Sequence, residues 1–325
     1  MSLPGESKLA VVFGGSGFVG RYVVRELARR GYRVRAAVRR PDLAGHLQTI
    51  GVVGQVHAVQ ANLRYPASVQ AAVAGADFVV NCVGILFESG RQRFSAVQAE
   101  GARAVALAAK EAGASSLVHI SAIGADENGD AEYAHTKAQG ERFVLQEFPE
   151  AVILRPSIVF GPEDDFFNRF AAMAGMAPAL PLVGGGTTKF QPVFVGDVAD
   201  AVGAVADGKA KPGTIYELGG PRIESFKELL QRMMEETRRR RLLLPLPKSI
   251  AKLMGRLTGW LPKPPITVDQ VKLLARDNIV SDAAIADGRT LAALGIDATP
   301  METVLPSYLV RFRKGGQFAV IPKEG

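Results

Sequence analysis

Over the first 220 residues the hydrophobic pattern switches repeatedly between a short continuous run and a helical period. "KLAVVFGG" is an apolar run that stops in glycines, and "FVGRYVVRELARRGY" then places its apolar residues at helical spacing until Gly31 closes the segment. Strand, glycine turn and helix follow in that order. "RVRAAVRR", "GQVHAVQANL" and "ADFVVNCVG" supply a second, third and fourth strand, separated by stretches long enough to cross over a sheet. "FSAVQAEGARAVALAAKEAG" predicts a helix, "SSLVHISA" a fifth strand, "YAHTKAQGERFVLQEF" a helix, and "EAVILRPSIVFG" one continuous sixth strand. Such alternation predicts an α/β fold with a parallel, doubly wound sheet and ligands at the C-terminal strand ends.

After Gly161 the rhythm breaks, and "PALPLVGGGTTKFQPVFVGDVADAVGAV" predicts loop, one short strand and a helix opened by Asp197. From Pro221 the pattern turns mostly helical, with "SFKE" and "TVDQ" matching the capping box and "TPME" sharing its spacing. The expected organisation is a nucleotide-binding domain over residues 1–165 and 187–220, and a smaller, mostly helical cap over 166–186 and 221–325.

The first turn carries the first chemistry. In "FGGSGFVG", Gly14, Gly17 and Gly20 have GxxGxxG spacing, while Gly15, Gly17 and Gly20 satisfy GxGxxG. Glycines also mark ordinary turns, but this set follows a strand and opens a helix, where backbone N–H groups can approach a pyrophosphate. The fold expectation is therefore Rossmann-type, with Gly14, Gly15, Ser16, Gly17, Phe18, Val19 and Gly20 as cofactor contacts. Where an NAD-preferring fold places an acid after the second strand, this chain has Arg39 and Arg40. Guanidinium binds a 2′-phosphate that a carboxylate would repel, so NADP(H) is expected in preference to NAD. The alternative for Arg40 is a solvated loop charge near Asp42. Asn62 and Leu63 end the third strand, Cys82, Val83 and Gly84 the fourth just after Asn81, and Pro156 and Ile158 belong to the sixth; all but Asn81 are candidate cofactor contacts, with local turn formation the competing role for Asn62 and Asn81.

Tyr133 and Lys137 lie four apart at the start of a helix, on one face. A lysine ammonium there can lower the phenol pKa and hold a nicotinamide ribose, making Tyr133 a candidate acid/base. Ser121 is the upstream hydroxyl, and Ala122 follows it. No His pairing suggests a metal site, and no GxSxG elbow suggests a hydrolase.

Composition adds two points. The single cysteine and an N-terminus without a basic and apolar leader lead to the expectation of a cytoplasmic protein, and no apolar window is long enough to span a bilayer. Net charge is +7, yet residues 1–220 are balanced at 21 basic and 21 acidic side chains, so the excess lies in the remainder, 18 against 11. Between Arg238 and Arg276, ten basic side chains accompany one acid, Asp269. That region attracts an anionic partner. In "PLPKSIAKLMGRLTGWLPKPP", Ile250, Leu253, Met254, Leu257, Trp260 and Leu261 form one helical stripe, with Lys248, Lys252 and Arg256 off it. The stripe either packs inward as an ordinary cap helix or lies on an anionic membrane. Nucleic acid is not expected, since no aromatic stacking platform accompanies the arginines.

The glycine loop, "NCVG", "HISA", "YAHTK", "RPSIVFGP" and "QPVFVGDVADAV" resemble, in order, the extended and atypical short-chain dehydrogenases/reductases. That resemblance implies a Ser or Thr where Ala122 stands, polarising the substrate carbonyl together with the Tyr, and a Tyr where Phe160 stands in the sugar-nucleotide epimerases. "GILFESGRQRF", "RPSIVFGPEDDFFNRFA", "LLLPLP", "PPITVDQVKLL" and "ALGIDATP" extend a narrower likeness along nearly the whole chain. They are similar to the bacterial relatives of the NADPH-binding accessory subunit of respiratory complex I, the alpha-subcomplex subunit nine family. This implies tightly held NADPH, little or no turnover, and a peripheral place on the cytoplasmic face of the inner membrane beside complex I subunits. Two alternatives stay open: an active NADP-dependent reductase on a quinone-like or other small carbonyl, and a nucleotide-sensing interaction protein.

Overall fold

The structure is a computed structural model that describes residues 8–258 and 267–316. Its first unit comprises the described chain up to Pro156, together with Val195–Leu218 and Val280–Asp297. Strands β1 (Leu9–Phe13), β2 (Arg33–Val38), β3 (Val56–Gln60), β4 (Phe78–Asn81), β5 (Ser116–Ile120) and β6 (Val152–Pro156) join the strand Ile215–Leu218 in one seven-stranded sheet. The order is Ile215–Leu218, β6, β5, β4, β1, β2, β3, and every pairing is parallel. The chain leaves β1 toward β2 and returns to its other side with β4, so the order reverses at β1. In open parallel sheets the crevice at such a reversal binds ligands.

Helices α1 (Phe18–Arg29), α2 (Pro66–Val73), α3 (Glu100–Glu111) and α4 (Glu132–Glu147) make the crossovers. Val11, Phe13, Val79, Leu117 and Ile153 on one sheet face share a buried cluster with Val69 of α2, Val105 of α3 and Val144 of α4. Parallel strands buried on both faces account for the continuous apolar runs in the sequence. A π-helical turn, Ser95–Ala99, precedes α3, shortening the helix that "FSAVQAEGARAVALAAKEAG" suggests. Gly140 of α4 approaches the Gln98 carbonyl of that turn so closely that a Cβ would stand 2.3 Å from it.

The boundaries differ from those read off the sequence. Residues 280–297 belong to the sheet unit because Ser281 N–H donates to Glu217 Oε2 at 2.8 Å and Glu217 N–H to Arg289 O at 2.9 Å, tying the segment to the Ile215–Leu218 edge. The predicted sixth strand divides into β6 and a separate pair, Val159–Phe160 with Val193–Phe194.

The second unit comprises Ser157–Phe194, the described part of Gly219–Ile279, and the chain from Ala298. Phe160, Phe167, Phe190, Phe226, Leu229 and Leu305 are among its buried side chains. Phe160 thus has a packing role, its ring 6.3 Å from that of Phe167. The capping boxes at Ser225/Glu228 and Thr267/Gln270 form. "TPME" does not make one: Pro300 is the N-cap of Met301–Leu309, which puts Glu302 one position too early for the reciprocal bond.

Helix Lys248–Thr258 resolves which of its two faces packs. Ala251 and Gly255, four apart, turn inward: Ala251 is buried with Val183 and Val271, and a Cβ on Gly255 would stand 2.8 Å from the Val268 nitrogen. The large side chains face out, with Leu253 at 55% and Leu257 at 66% exposure and Ile250 and Met254 also exposed. Of the two alternatives for this stripe, inward packing therefore does not hold for these four residues; Trp260 and Leu261 lie outside the described residues. Of the four arginines from Arg238, Arg239 and Arg241 donate to the Phe312 and Ala174 carbonyls, each at 2.8 Å, leaving Arg238 and Arg240 exposed.

Candidate nucleotide and active site

The glycine loop joins β1 to α1 at the crevice. Gly14 has φ +75°, and its N–H donates to Ala37 O of β2 at 2.9 Å. A Cβ on Gly20 would stand 2.1 Å from the Gly14 carbonyl oxygen, so helix and turn approach only because that side chain is missing. Gly15 is confined by Ala36 in the same way, at 2.9 Å. Gly17 is the N-cap of α1 and brings no side chain to occupy the helix N-terminus. This backbone cradle with the positive end of α1 fits a dinucleotide pyrophosphate. Ser16, Phe18 and Val19 belong to the same turn, and Val83 packs against Gly14 across the crevice.

The two arginines after β2 separate in role. Arg40 is taken up by Asp42, donating Nε at 3.0 and 3.2 Å and Nη2 at 2.7 Å, and both are exposed. Arg39, also exposed, donates Nη1 to Gln92 Oε1. Arg40 is thus neutralised by a carboxylate, whereas the Arg39 partner is an uncharged amide. Asn62 sits in its own turn: Oδ1 accepts from Arg64 N–H at 3.2 Å, and its N–H donates to Ser68 Oγ at 3.1 Å. Leu63 is buried against Gly101, where an added methyl would stand 3.0 Å from the Leu63 Cβ.

At the β4 and β5 ends the polar groups interlock. Asn81 Oδ1 accepts from Val83 N–H at 3.1 Å, so its amide nitrogen faces His119 Nδ1 at 3.2 Å. That geometry makes Nδ1 the acceptor and places the neutral ring's proton on Nε2, a buried atom with no partner among the described residues. Burial, reinforced by the Lys137 charge, pushes the His119 pKa down to about 3. Burial also pushes the thiol of the half-buried Cys82 up to about 12, so it stays protonated and is no nucleophile near neutral pH.

Lys137 reaches the same corner from α4, and Nζ donates to Ile120 O at 3.1 Å. Gly84 makes room for it, since a Cβ there would stand 3.4 Å from Nζ. Burial lowers its pKa to about 8, with Glu141 and Cys82 pulling the other way. Tyr133, one helical turn earlier, is half-buried with the Phe94 ring edge-on at 5.9 Å. The structure therefore brings Tyr133, Lys137 and the β4 and β5 ends together on one unit. Pro156 ends β6, accepting from Ile123 N–H at 2.9 Å, whereas Ile158 falls in the second unit.

Ser121 extends β5 by one residue, its N–H donating to Leu154 O at 2.7 Å. Strand alternation puts its side chain on the face of Leu117 and His119. Its Oγ is buried and has no hydrogen-bond partner among the described residues. The hydroxyl is thus enclosed as the chain stands, as is the equally buried Lys137 side chain on α4. Ala122 points to the opposite face, is partly exposed, and brings only a methyl group. Sequence reasoning did not single out Gln92, Phe94 or His119; for Asn81, at the end of the fourth strand, the local-turn role is the one seen, since its Oδ1 caps Val83 N–H.

A parallel sheet reversing at a glycine cradle, with a Tyr-x-x-x-Lys helix at the neighbouring strand ends, defines a dinucleotide-binding protein of the short-chain dehydrogenase type. The comparisons agree: residues 10–219 match the NAD dependent epimerase/dehydratase family, and the chain belongs to it. The chain is 36% identical to the mitochondrial NADH dehydrogenase [ubiquinone] 1 alpha subcomplex subunit 9 of Arabidopsis thaliana, over 95% of this chain and 79% of that protein. It is 34% identical to the subunit of the same name in Rattus norvegicus, over 94% and 80%. Among solved structures, UDP-glucose 4-epimerase of Thermus thermophilus, in complex with NAD, superimposes with a TM-score of 0.65 at 20% identity, covering 96% of this chain and all of that one.

Proposed function

We propose that the protein is an NADP(H)-holding accessory component of a complex I-type NADH:ubiquinone oxidoreductase, with little or no turnover of its own. The observation that carries the reading is the contrast between the complete glycine cradle and the enclosed Ser121 hydroxyl beside Ala122. Arg39 receives the 2′-phosphate, the α1 N-terminus the pyrophosphate, and Lys137 the nicotinamide ribose hydroxyls. When bound, the nucleotide supplies a transferable hydride. Loss of one oxyanion donor costs on the order of 100- to 1000-fold in comparable sites. A substrate oxygen here would receive a hydrogen bond from Tyr133 and none from a serine. The relatives named above as NADH dehydrogenase subunits over nearly the full chain support the assignment to complex I.

The exposed stripe supports a peripheral position on the cytoplasmic face of the inner membrane. Ile250, Leu253 and Leu257 stand out from the helix, with Leu242 and Leu244 exposed on the preceding strand. Exposed Lys248, Lys252, Arg256, Arg238 and Arg240 give the surface the positive charge that complements anionic lipid. No helix among the described residues is long and apolar enough to cross a membrane. The assignment is tested by affinity isolation from membranes combined with NADPH titration. Recovery of complex I subunits with a protein that binds NADPH supports it, and a protein that binds neither nucleotide nor those subunits overturns it.

A further inference from the structure

The crossover from β4 to the π-helical turn contains a small closed loop. Ser89 N–H donates to Gln92 O at 3.1 Å and Gln92 N–H to Ser89 O at 3.0 Å, with Gly90 supplying a φ of +56°. Glu88 Oε1 accepts from Phe94 N–H at 2.8 Å, and Gln98 Nε2 ties the base to Ile85 O at 2.8 Å. Two side chains leave this loop for the nucleotide-binding elements. Gln92 Oε1 accepts from Arg39 Nη1, and the Phe94 ring stands edge-on to Tyr133 at an interplanar angle of 85°.

We propose that residues 88–94 act as a latch on the bound nucleotide, in which Gln92 completes the subsite for the 2′-phosphate and Phe94 couples that subsite to Tyr133. The idea rests on the NADP(H) reading above and adds a second phosphate-recognising residue and a route by which release is slowed. Because the Gln92 carbonyl oxygen accepts from Arg39, the planar carboxamide carries its two N–H donors beside the guanidinium. A phosphate monoester dianion gains from donors of both residues, and charge-assisted bonds of this kind are the stronger ones. Arg40 does not contribute, being held by Asp42. A nucleotide that ends in an unphosphorylated ribose offers this pair no anion and gains nothing from the loop. Short loops built on local hydrogen bonds open at low cost in free energy, so a few such contacts decide how often this one opens.

The test measures dissociation constants and release rates of NADPH and NADH by nicotinamide fluorescence on the full chain, with Gln92→Ala, Gln92→Glu and Phe94→Leu alongside. The expected result is that Gln92→Ala weakens NADPH about tenfold and leaves NADH within about twofold, the loss typical of one hydrogen bond to a charged group. Gln92→Glu, which sets a carboxylate against the phosphate, lowers NADPH affinity further, and Phe94→Leu speeds NADPH release more than NADH release. If wild-type protein prefers NADPH but Gln92→Ala leaves the preference unchanged, or Phe94→Leu leaves release unchanged, the latch is wrong and the NADP(H) reading survives. If wild type binds NADPH no better than NADH, both fall.

Discussion

The two ends of the candidate nucleotide site are built to different tolerances. At the β1–α1 end, backbone approaches backbone so closely that Gly20 admits no side-chain carbon, 2.1 Å being available where ordinary contact needs more than 3.4 Å. At the β5–α4 end, a methyl group stands at position 122, and the adjacent hydroxyl, on Ser121, is enclosed. On the proposed function, the binding geometry is complete where the pyrophosphate would be anchored, and a donor is missing where a substrate oxygen would develop charge. A protein that must hold a nucleotide needs the first end; one that must turn it over needs both.

The largest expected effect breaks the anchoring end. Gly20→Val forces β1 and α1 apart, and nucleotide affinity falls by more than about 100-fold in a titration, with a lowered melting temperature as the structural counterpart. Acting on the other end, Ala122→Ser restores a hydroxyl on the exposed side of the strand. Carbonyl reduction from bound NADPH is expected to rise on the order of 100-fold above the wild-type background, whereas Ser121→Ala leaves both affinity and background turnover within about twofold. A rise with neither substitution, or a fall with Ser121→Ala, would remove the contrast between the ends.

Lys137, at the β5–α4 end, serves binding in the proposed function and gives an intermediate effect. Lys137→Met is expected to weaken NADPH about tenfold through loss of a charge-assisted bond. In wild type the ammonium loses its proton near pH 8, below the usual lysine range, so affinity falls as pH rises through 8; a flat profile from pH 7 to 10 contradicts the ribose role. His119 gives a smaller effect on stability. Its folded pKa lies below the unfolded value of about 6.5, so the unfolded chain binds more protons below that pH. Stability is fully present above about pH 6.5 and is lost as pH falls toward 3. His119→Phe is expected to flatten that acid limb in thermal unfolding.

The second unit offers an independent test. Replacing Leu253 and Leu257 together by Ser is expected to reduce co-sedimentation with phosphatidylglycerol vesicles severalfold while leaving NADPH affinity unchanged. Neutral phosphatidylcholine vesicles serve as the control. Equal binding to both vesicle types would assign the stripe to another occupant.

The sheet was legible because buried parallel strands must be apolar almost throughout, and the glycine loop because its spacing has few other uses. Fine division of the sixth strand was not legible, since the apolar residues on either side of "RPS" in "EAVILRPSIVFG" read as one strand although the ladder partner changes between Pro156 and Val159. Amphipathicity showed that helix Lys248–Thr258 has two faces but not which one packs. The answer depended on Gly255, whose missing side chain lets the Val268 backbone come close and turns the large residues outward. Arg39 and Arg40 were equivalent as letters; Asp42 separated them once the turn brought it within 2.7 Å of Arg40. Gln92 gave no signal, because its contact to Arg39 spans 53 residues and exists only when the β4 crossover folds back over the β2 end.

The most direct measurement follows the reduced nicotinamide signal of protein-bound NADPH in the presence of small carbonyls and quinones, for wild type and Tyr133→Phe. The account predicts that both proteins hold NADPH and that the signal decays at the same slow rate in both. Oxidation by wild type that disappears with Tyr133→Phe would contradict it, showing that the end without a hydroxyl at position 122 is nevertheless an active one.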